Sequence, residues 1–284
     1  MKTDTSPRPR PYWHVDAKWI TGLLLSLVLA LTLLTFALVR VTAERPAVDA
    51  LTMLLAVSFS QNGLDDETEI AEMRRMLEAD ADGEIQPMPD LAITVRVADL
   101  AERTPREIRL AFFRKMAEPL YGGEAAINEL AADSETREAM ARGGVLSVLS
   151  SKTHELLQRA LTVLGILSAV LALALIYFSY RFGRLASPGC VLFVAALPGA
   201  ALFGFLGWAF NPPGPSAGPD SDMTGMLSSL ASNVLPPLAQ IAAWVFLAAM
   251  ALGILLIFLS IVGGLVSRRR RASAPAGSAA SNTT

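Results

Sequence analysis

The stretch that decides the fold is WITGLLLSLVLALTLLTFALV, residues 19–39, which holds no charged side chain over 21 positions. About 20 apolar residues at about 1.5 Å each cross a hydrocarbon core of about 30 Å. In lipid, a helix satisfies its own backbone within one segment. Comparable uncharged runs follow further along the chain, so the sequence predicts four transmembrane helices, at 19–40, 159–181, 189–210 and 238–267.

Residues 41–158 separate the first span from the second and form the only stretch long and polar enough to fold in water. They hold 22 Asp and Glu against 12 Lys and Arg, whereas the rest of the chain holds 4 acids against 12 bases. Such an asymmetry indicates two environments for one chain. The predicted fold class is an all-α integral membrane protein with a mainly helical extracytoplasmic domain, and an α+β extracytoplasmic domain is the alternative.

Basic residues near the span ends set the predicted orientation, because Lys and Arg accumulate on the cytoplasmic side of membrane proteins. They fall before the first span, in the link after the second and behind the fourth. The sequence therefore predicts a multi-pass protein of the cell membrane with both termini cytoplasmic. The predicted cytoplasmic parts are a basic arm at 1–18, a link at 182–188 and a disordered tail at 268–284; the predicted extracytoplasmic parts are the domain at 41–158 and a Pro/Gly-rich loop at 211–237.

Within 41–158, the clearest local signal is Thr104-Pro105-Arg106-Glu107. Threonine caps a helix, proline suits its first turn, and glutamate three residues later reaches back to the cap. The pattern predicts a helix from about 105 to 121 that Gly122-Gly123 ends. Its predicted buried face is Ile108, Phe112, Met116 and Leu120.

A strand is predicted where Leu91, Ile93, Val95 and Val97 alternate with smaller or polar residues. The pattern offers only Val145–Leu149 as a partner. Further on, Thr153 or Ser151 is predicted to cap a helix. Because no glycine or proline lies between Ser151 and Leu164, this helix is predicted to continue without a break into the second span.

Small residues in the last two spans predict close helix packing, since they let backbones approach one another in lipid. In the third span they recur with a spacing of four, ending at a tryptophan. The predicted packing residues are Ala196, Ala200, Gly204 and Trp208 in the third span and Ala239, Ala243, Ala249 and Gly253 in the fourth.

The residues inside the spans argue against a proton-coupled transporter. Their interiors contain no Asp, Glu, Lys, Arg or His, whereas proton relays and ion pathways place such groups inside the membrane. The two histidines, His14 and His154, fall on opposite predicted sides, and no nucleotide-binding loop, metalloprotease helix or nucleophile elbow is present in the sequence. The sequence therefore predicts a protein that is not an enzyme.

The acidic stretch 78–85 is the candidate metal site. Glu78, Asp80 and Asp82 supply oxygen ligands at alternate positions before Gly83, as in the first half of a calcium-binding loop. Two departures favour the alternative of a solvated acidic turn: glutamate stands at the first position, and Pro89 stands where the bidentate glutamate belongs. No other cofactor is predicted.

The predicted function is a non-enzymatic multi-pass membrane protein whose extracytoplasmic domain binds a partner or ligand, as a sensor, scaffold or accessory subunit. The alternatives are a channel or transporter for an uncharged or apolar molecule and a membrane enzyme that uses extracytoplasmic carboxylates. The predicted partners are the lipid bilayer and a protein bound through 41–158, and no nucleic acid is expected. Anionic lipid is a further candidate partner, at Arg268, Arg269, Arg270 and Arg271.

Overall fold

The computed structural model describes residues 13–59, 71, 75, 84–85, 95–96, 104–123, 148–179, 183–210 and 223–272. These residues are nearly all helical, in agreement with the predicted all-α class. The helices are α1 (Trp13–Val41), α2 (Glu44–Phe59), α3 (Pro105–Gly122), α4 (Ser151–Phe178), α5 (Gly183–Ala209) and α6 (Met223–Ala272), and the strands are β1 (Glu84–Ile85) and β2 (Val95–Arg96).

Four of these helices are long and apolar enough to cross a membrane, which confirms the predicted number of spans. The candidate spans are 26, 28, 25 and 33 residues long, against the roughly 20 that a bilayer requires. They lie in α1, α4, α5 and α6, at Asp16–Val41, Ser151–Phe178, Leu185–Ala209 and Val234–Val266.

Helix α6 extends beyond its predicted bounds at both ends. Residues 223–237, predicted as part of a loop, are helical, because α6 begins at Met223 and includes Pro236 and Pro237. Apolar residues recur at helical spacing in this part of the predicted loop, from Met223 to Val234. At the other end, residues 268–272 belong to α6 and not to a disordered tail.

The link between α4 and α5 is also corrected. Helix α5 begins at Gly183 and includes Pro188, so most of the predicted link at 182–188 is helical. Pro188 lies in the second turn, where it has no N–H to donate to the carbonyl of Arg184, so α5 includes it at the loss of one helical hydrogen bond. The predicted continuous helix is confirmed, since α4 runs unbroken from Ser151 to Phe178.

The chain forms two compact units that differ in charge. The basic unit comprises Met1–Leu34, Leu161–Ala201 and Trp244–Thr284, with ten Lys and Arg against two Asp. The acidic unit comprises Thr35–Ala160 and Leu202–Ala243, with 14 Lys and Arg against 24 Asp and Glu. The charge asymmetry of the sequence therefore follows the division of the fold.

Helices α2 and α3 pack together and enclose the apolar core described in the acidic unit. The rings of Phe112 and Phe113 meet edge to face, with centroids 5.2 Å apart. The predicted burial of Ile108, Phe112 and Met116 is confirmed, and Leu120 is half-buried against the same cluster. The core residues are Val48, Leu51, Leu55, Ala56, Ile108, Phe112, Phe113, Met116 and Ala117.

Both predicted ends of α3 are confirmed. Thr104 Oγ1 accepts a hydrogen bond from the Glu107 amide at 3.4 Å, and Glu107 Oε2 accepts one from the Thr104 amide at 2.9 Å. The helix ends at Gly122, and Gly123 has φ of 84°, a conformation that glycine adopts at little cost.

The predicted strand is confirmed at Val95 and Arg96, and its partner in the structure is a segment that the sequence did not indicate; most of the candidate partner Val145–Leu149 lies outside the described residues. Strand β2 pairs with β1 in antiparallel orientation, with Glu84 opposite Arg96 and Ile85 opposite Val95. Strand β1 is only two residues long, too short for any alternating pattern to mark it in the sequence.

In the basic unit, α1 and α4 run antiparallel. A Cβ placed on Gly22 would lie 3.9 Å from Leu175 Cδ1, and Thr32 pairs with Ser168. Residue numbers therefore increase along α1 in the direction in which they decrease along α4. The oxygens Thr32 Oγ1 and Ser168 Oγ are 2.9 Å apart. Since Thr32 donates to Val28 O at 2.7 Å, Ser168 is the donor to Thr32.

Helices α5 and α6 also run antiparallel in the basic unit, and glycines lie at their contact. A Cβ on Gly189 would lie 2.9 Å from Gly253 O, and a Cβ on Gly253 would lie 2.9 Å from Gly189 O. Further along, a Cβ on Gly199 would overlap the ring of Phe246. Side chains at these positions would push the helices apart.

The predicted small-residue stripes are only partly right. Ala196, Ala239, Ala249 and Gly253 are buried, but Trp208 is 75% exposed and a Cβ on Gly204 would meet nothing within 4 Å. A helix has about 3.6 residues per turn, so residues spaced by four are each rotated further around it. The last residues of such a series therefore no longer lie on the contact face.

Candidate functional site

Thr42 is the centre of a polar cluster in the acidic unit. It follows α1 directly and is 2% exposed. Its hydroxyl donates a hydrogen bond to Leu38 O at 2.8 Å, and its amide donates to the same carbonyl at 2.8 Å. The single hydroxyl hydrogen is therefore used within α1, and the oxygen remains available as an acceptor.

His154, in the first turns of α4, supplies the donor. Its Nδ1 lies 3.1 Å from Thr42 Oγ1, so the hydrogen on Nδ1 points to Thr42. Its Nε2 lies 2.8 Å from Gln158 Nε2, and this amide nitrogen is a donor only, so Nε2 accepts. The hydrogen-bond network thus assigns the tautomer with hydrogen on Nδ1.

The end of α3 joins the same cluster. Tyr121 OH donates to Thr42 O at 3.2 Å, and Ser151 Oγ donates to Gly122 O at 3.4 Å. Burial, and secondly the nearby carboxylate of Glu44, raise the pKa of Tyr121 above its ordinary value, because both disfavour the phenolate. The ends of α1 and α3 thereby contact the start of α4. We call Thr42, Tyr121, Ser151, His154 and Gln158 the helix junction.

The start of α4 has a different cap from the predicted one. Ser150 Oγ accepts a hydrogen bond from the Thr153 amide at 3.4 Å, and Ser150 O accepts one from the His154 amide at 3.1 Å. Ser150 is therefore the capping residue, and the expected Ser151 instead contacts Gly122. Neighbouring hydroxyl residues suit a helix cap equally well, so the sequence alone could not choose among them.

The exposed faces of the acidic unit carry charges of both signs. Arg114 lies 3.7 Å from Asp49 on α2 and 3.5 Å from Glu118 on its own helix. Arg159 lies 3.6 Å from Glu155 on α4. Exposed ion pairs of this kind contribute only about 0–1 kcal/mol each, so these side chains remain available for other contacts.

The helix junction has the chemistry of a structural contact, with one imidazole, three hydroxyls and one amide. Among the described residues, no group of three His, Cys, Asp or Glu side chains could hold a metal ion. The predicted calcium ligands Glu78, Asp80 and Asp82 lie outside the described residues, so that site remains a prediction. The lone cysteine, Cys190, is free and exposed on α5.

Comparison with known proteins returned no match: no family model, no curated protein and no solved structure matches this chain. Any functional interpretation must therefore rest on the residues themselves.

Sequence reasoning missed most of the helix junction. The sequence placed His154 only on the side opposite to His14, whereas in the structure both of its ring nitrogens have hydrogen-bond partners. Thr42 and Tyr121 gave no signal, because their partners are 112 and 79 residues away in the chain. The only available clue was that Thr42 ends an apolar span just before a charged segment.

Proposed function

We propose that this protein is a non-enzymatic membrane protein whose segment 41–158 binds a partner outside the cytoplasm and passes the event to its transmembrane helices. The helix junction is the observation that carries this proposal. Thr42, directly after α1, is hydrogen-bonded to His154 in the first turn of α4. Tyr121, at the end of α3, is hydrogen-bonded to Thr42 and so belongs to the same contact.

The transmission step follows from the continuity of α4. A partner that moves the α2–α3 pair would move the end of α3, and with it Tyr121 and Gly122. Ser151 and His154, which receive these contacts, begin a helix with no proline along its 28 residues. A displacement of its first turn is therefore passed along the helix axis without a break in the backbone hydrogen bonds.

The partner itself is expected to present a basic surface. Segment 41–158 has ten more acidic than basic residues, and oppositely charged surfaces speed and orient association. On the described helices, exposed carboxylates lie on both α2 and α3: Glu44, Asp49 and Glu118.

Site-specific cross-linking in intact membranes tests the binding step. A photo-cross-linker placed at Arg106, an exposed position of α3, should capture a defined protein. The D49K/E118K variant should lose that product, whereas R159Q, which alters an exposed charge on α4, should retain it. The proposal fails if no defined product forms or if D49K/E118K captures it equally well. Flux of an uncharged solute through liposomes holding the purified protein would instead support the channel interpretation.

Electron paramagnetic resonance tests the transmission step. Leu157→Pro removes a backbone hydrogen bond and clashes with the preceding turn, at a cost of about 3 kcal/mol in a helix interior. Spin labels at Lys152 and Leu173, both exposed on α4, should give a narrow distance distribution in the wild type and a broad one in the variant. Equal distributions in the two proteins would show that α4 does not act as one rod.

A further inference from the structure

Helix α6 has two faces with different surroundings. One face is buried and meets α5 at Phe246 and Gly253. The opposite face is exposed, and its members recur alternately after four and three positions, which is the spacing at the contact of two helices that cross at a small angle. We call these exposed residues the α6 seam: Gln240, Trp244, Leu247, Ala251, Ile254, Phe258, Ile261 and Leu265.

Gln240 is the one seam residue with a strongly polar side chain. It lies six positions inside the candidate span that begins at Val234, about 9 Å along the helix. Within the described part of the chain, no residue forms a hydrogen bond with its exposed side chain. The amide has two N–H donors and a carbonyl acceptor, and lipid tails can bond to neither. Removing such a group from water is costly, so a partner that offers both a donor and an acceptor would stabilise it.

A second copy of the chain supplies this partner at the same depth. In two copies of one topology, a two-fold axis normal to the membrane makes the α6 helices parallel and brings equivalent residues face to face. One Gln240 amide then donates to the carbonyl of the other and accepts a hydrogen bond from it. The other seam residues are mainly apolar, and their spacing keeps them in contact in a left-handed pair that crosses at about +20°.

We propose that two copies of the chain associate in parallel through the α6 seam, with their Gln240 amides hydrogen-bonded to each other at the two-fold axis. In coiled coils, a single polar residue at such a position fixes the register and the number of helices, and Gln240 has this role here. The contact is separate from the proposed partner of segment 41–158, because neither α2 nor α3 contributes to it.

Disulfide cross-linking of the full chain in liposomes locates the contact. The lone cysteine is first removed by Cys190→Ser. The seam variants Leu247→Cys, Ala251→Cys and Ile254→Cys should then form dimers on oxidation at a low ratio of protein to lipid. The control Ala249→Cys, on the buried face of α6, should remain monomeric. Failure of all three seam variants to form a dimer, or equal cross-linking of the control, would overturn the proposal.

Variants at Gln240 test the hydrogen bond, with association measured by energy transfer between copies labelled at the C terminus. Gln240→Leu keeps the seam apolar but removes the amide, and should weaken association about fivefold to thirtyfold, the range for interhelical hydrogen bonds of model membrane peptides. Gln240→Asn keeps a self-complementary amide and should retain most of the association. If water at the membrane surface satisfies the amide instead, Gln240→Leu will leave association unchanged or strengthen it, and the proposal is wrong.

Discussion

The acidic unit and the basic unit hold their helices together by different means. In the acidic unit, α2 and α3 bury large side chains such as Leu51, Ile108 and Phe112. In the basic unit, α5 and α6 approach closely at Gly189 and Gly253. Water drives apolar side chains together, whereas lipid is as apolar as leucine and leaves close packing and hydrogen bonds to join helices, so this is the difference expected if α2 and α3 fold in water and α5 and α6 in lipid. The following predictions test this comparison.

The largest effect is expected in the apolar core of the acidic unit. Phe112→Ala removes a buried ring and leaves a cavity, at a cost of about 3–5 kcal/mol. The expected result is loss of amide-exchange protection throughout α2 and α3. Leu23→Ala, at a position of α1 that is 74% exposed, is the control and should leave the protection unchanged. A similar loss in both variants would remove the distinction between the two units.

A smaller but still clear effect is expected at the glycine contact of the basic unit. In Gly253→Leu, the new Cβ would lie 2.9 Å from Gly189 O and 3.0 Å from Phe193 N, both backbone atoms that cannot move aside alone. Overpacking of this kind costs about 1–3 kcal/mol. Unfolding in mixed micelles should show the loss, and Gly204→Leu, where a Cβ would meet nothing within 4 Å, should not. Equal behaviour of the two variants would mean that α5 and α6 are not joined at Gly253.

The hydrogen bonds of Thr42 and Ser168 provide a further test of the difference between the two units. Thr42→Val removes the acceptor of His154 Nδ1 in a buried position and should cost about 1–3 kcal/mol. Ser168→Ala, which removes the donor to Thr32 in the span of α4, should cost only about 0.6 kcal/mol. Thr42→Ser keeps the hydroxyl and should restore most of the stability. The expectation is contradicted if Ser168→Ala is the more damaging change in unfolding measurements.

The smallest effect is expected in the stability of the acidic unit at alkaline pH. The raised pKa of Tyr121 means that the folded state favours the neutral phenol more than the unfolded state does. The resulting stability is present below the ordinary pKa of about 10 and is lost as the pH rises through the raised value. Tyr121→Phe should flatten this part of the stability curve when unfolding is followed as a function of pH. An unchanged curve in the variant would exclude Tyr121 as its cause.

The features that the sequence predicted correctly depend on neighbouring residues. An apolar run defines each span within one segment, and the cap of α3 joins Thr104 to Glu107 across three positions. The predicted link at 182–188 and the predicted loop at 211–237 are helical over 183–188 and 223–237, because a helix can include a proline at the loss of one backbone hydrogen bond.

The features that could not be predicted depend on pairs of residues far apart in the chain. His154 meets Thr42 and Tyr121 meets Thr42 only after three helices have come together. Likewise, the side of α5 that meets α6 could not be chosen among several small residues. Gly189 and Gly199 lie at the contact, whereas Gly204 does not, and only the register of the two helices decides this.

The contact between Gly189 and Gly253 also has a consequence for biogenesis. The two glycines are 64 positions apart, so at about 5–20 residues per second the ribosome needs roughly 3–13 s to make the second after the first. During that interval α5 exists without the surface that will cover its glycines. An insertion factor that shields this face of α5 would shorten its exposure to competing helices of other newly made proteins.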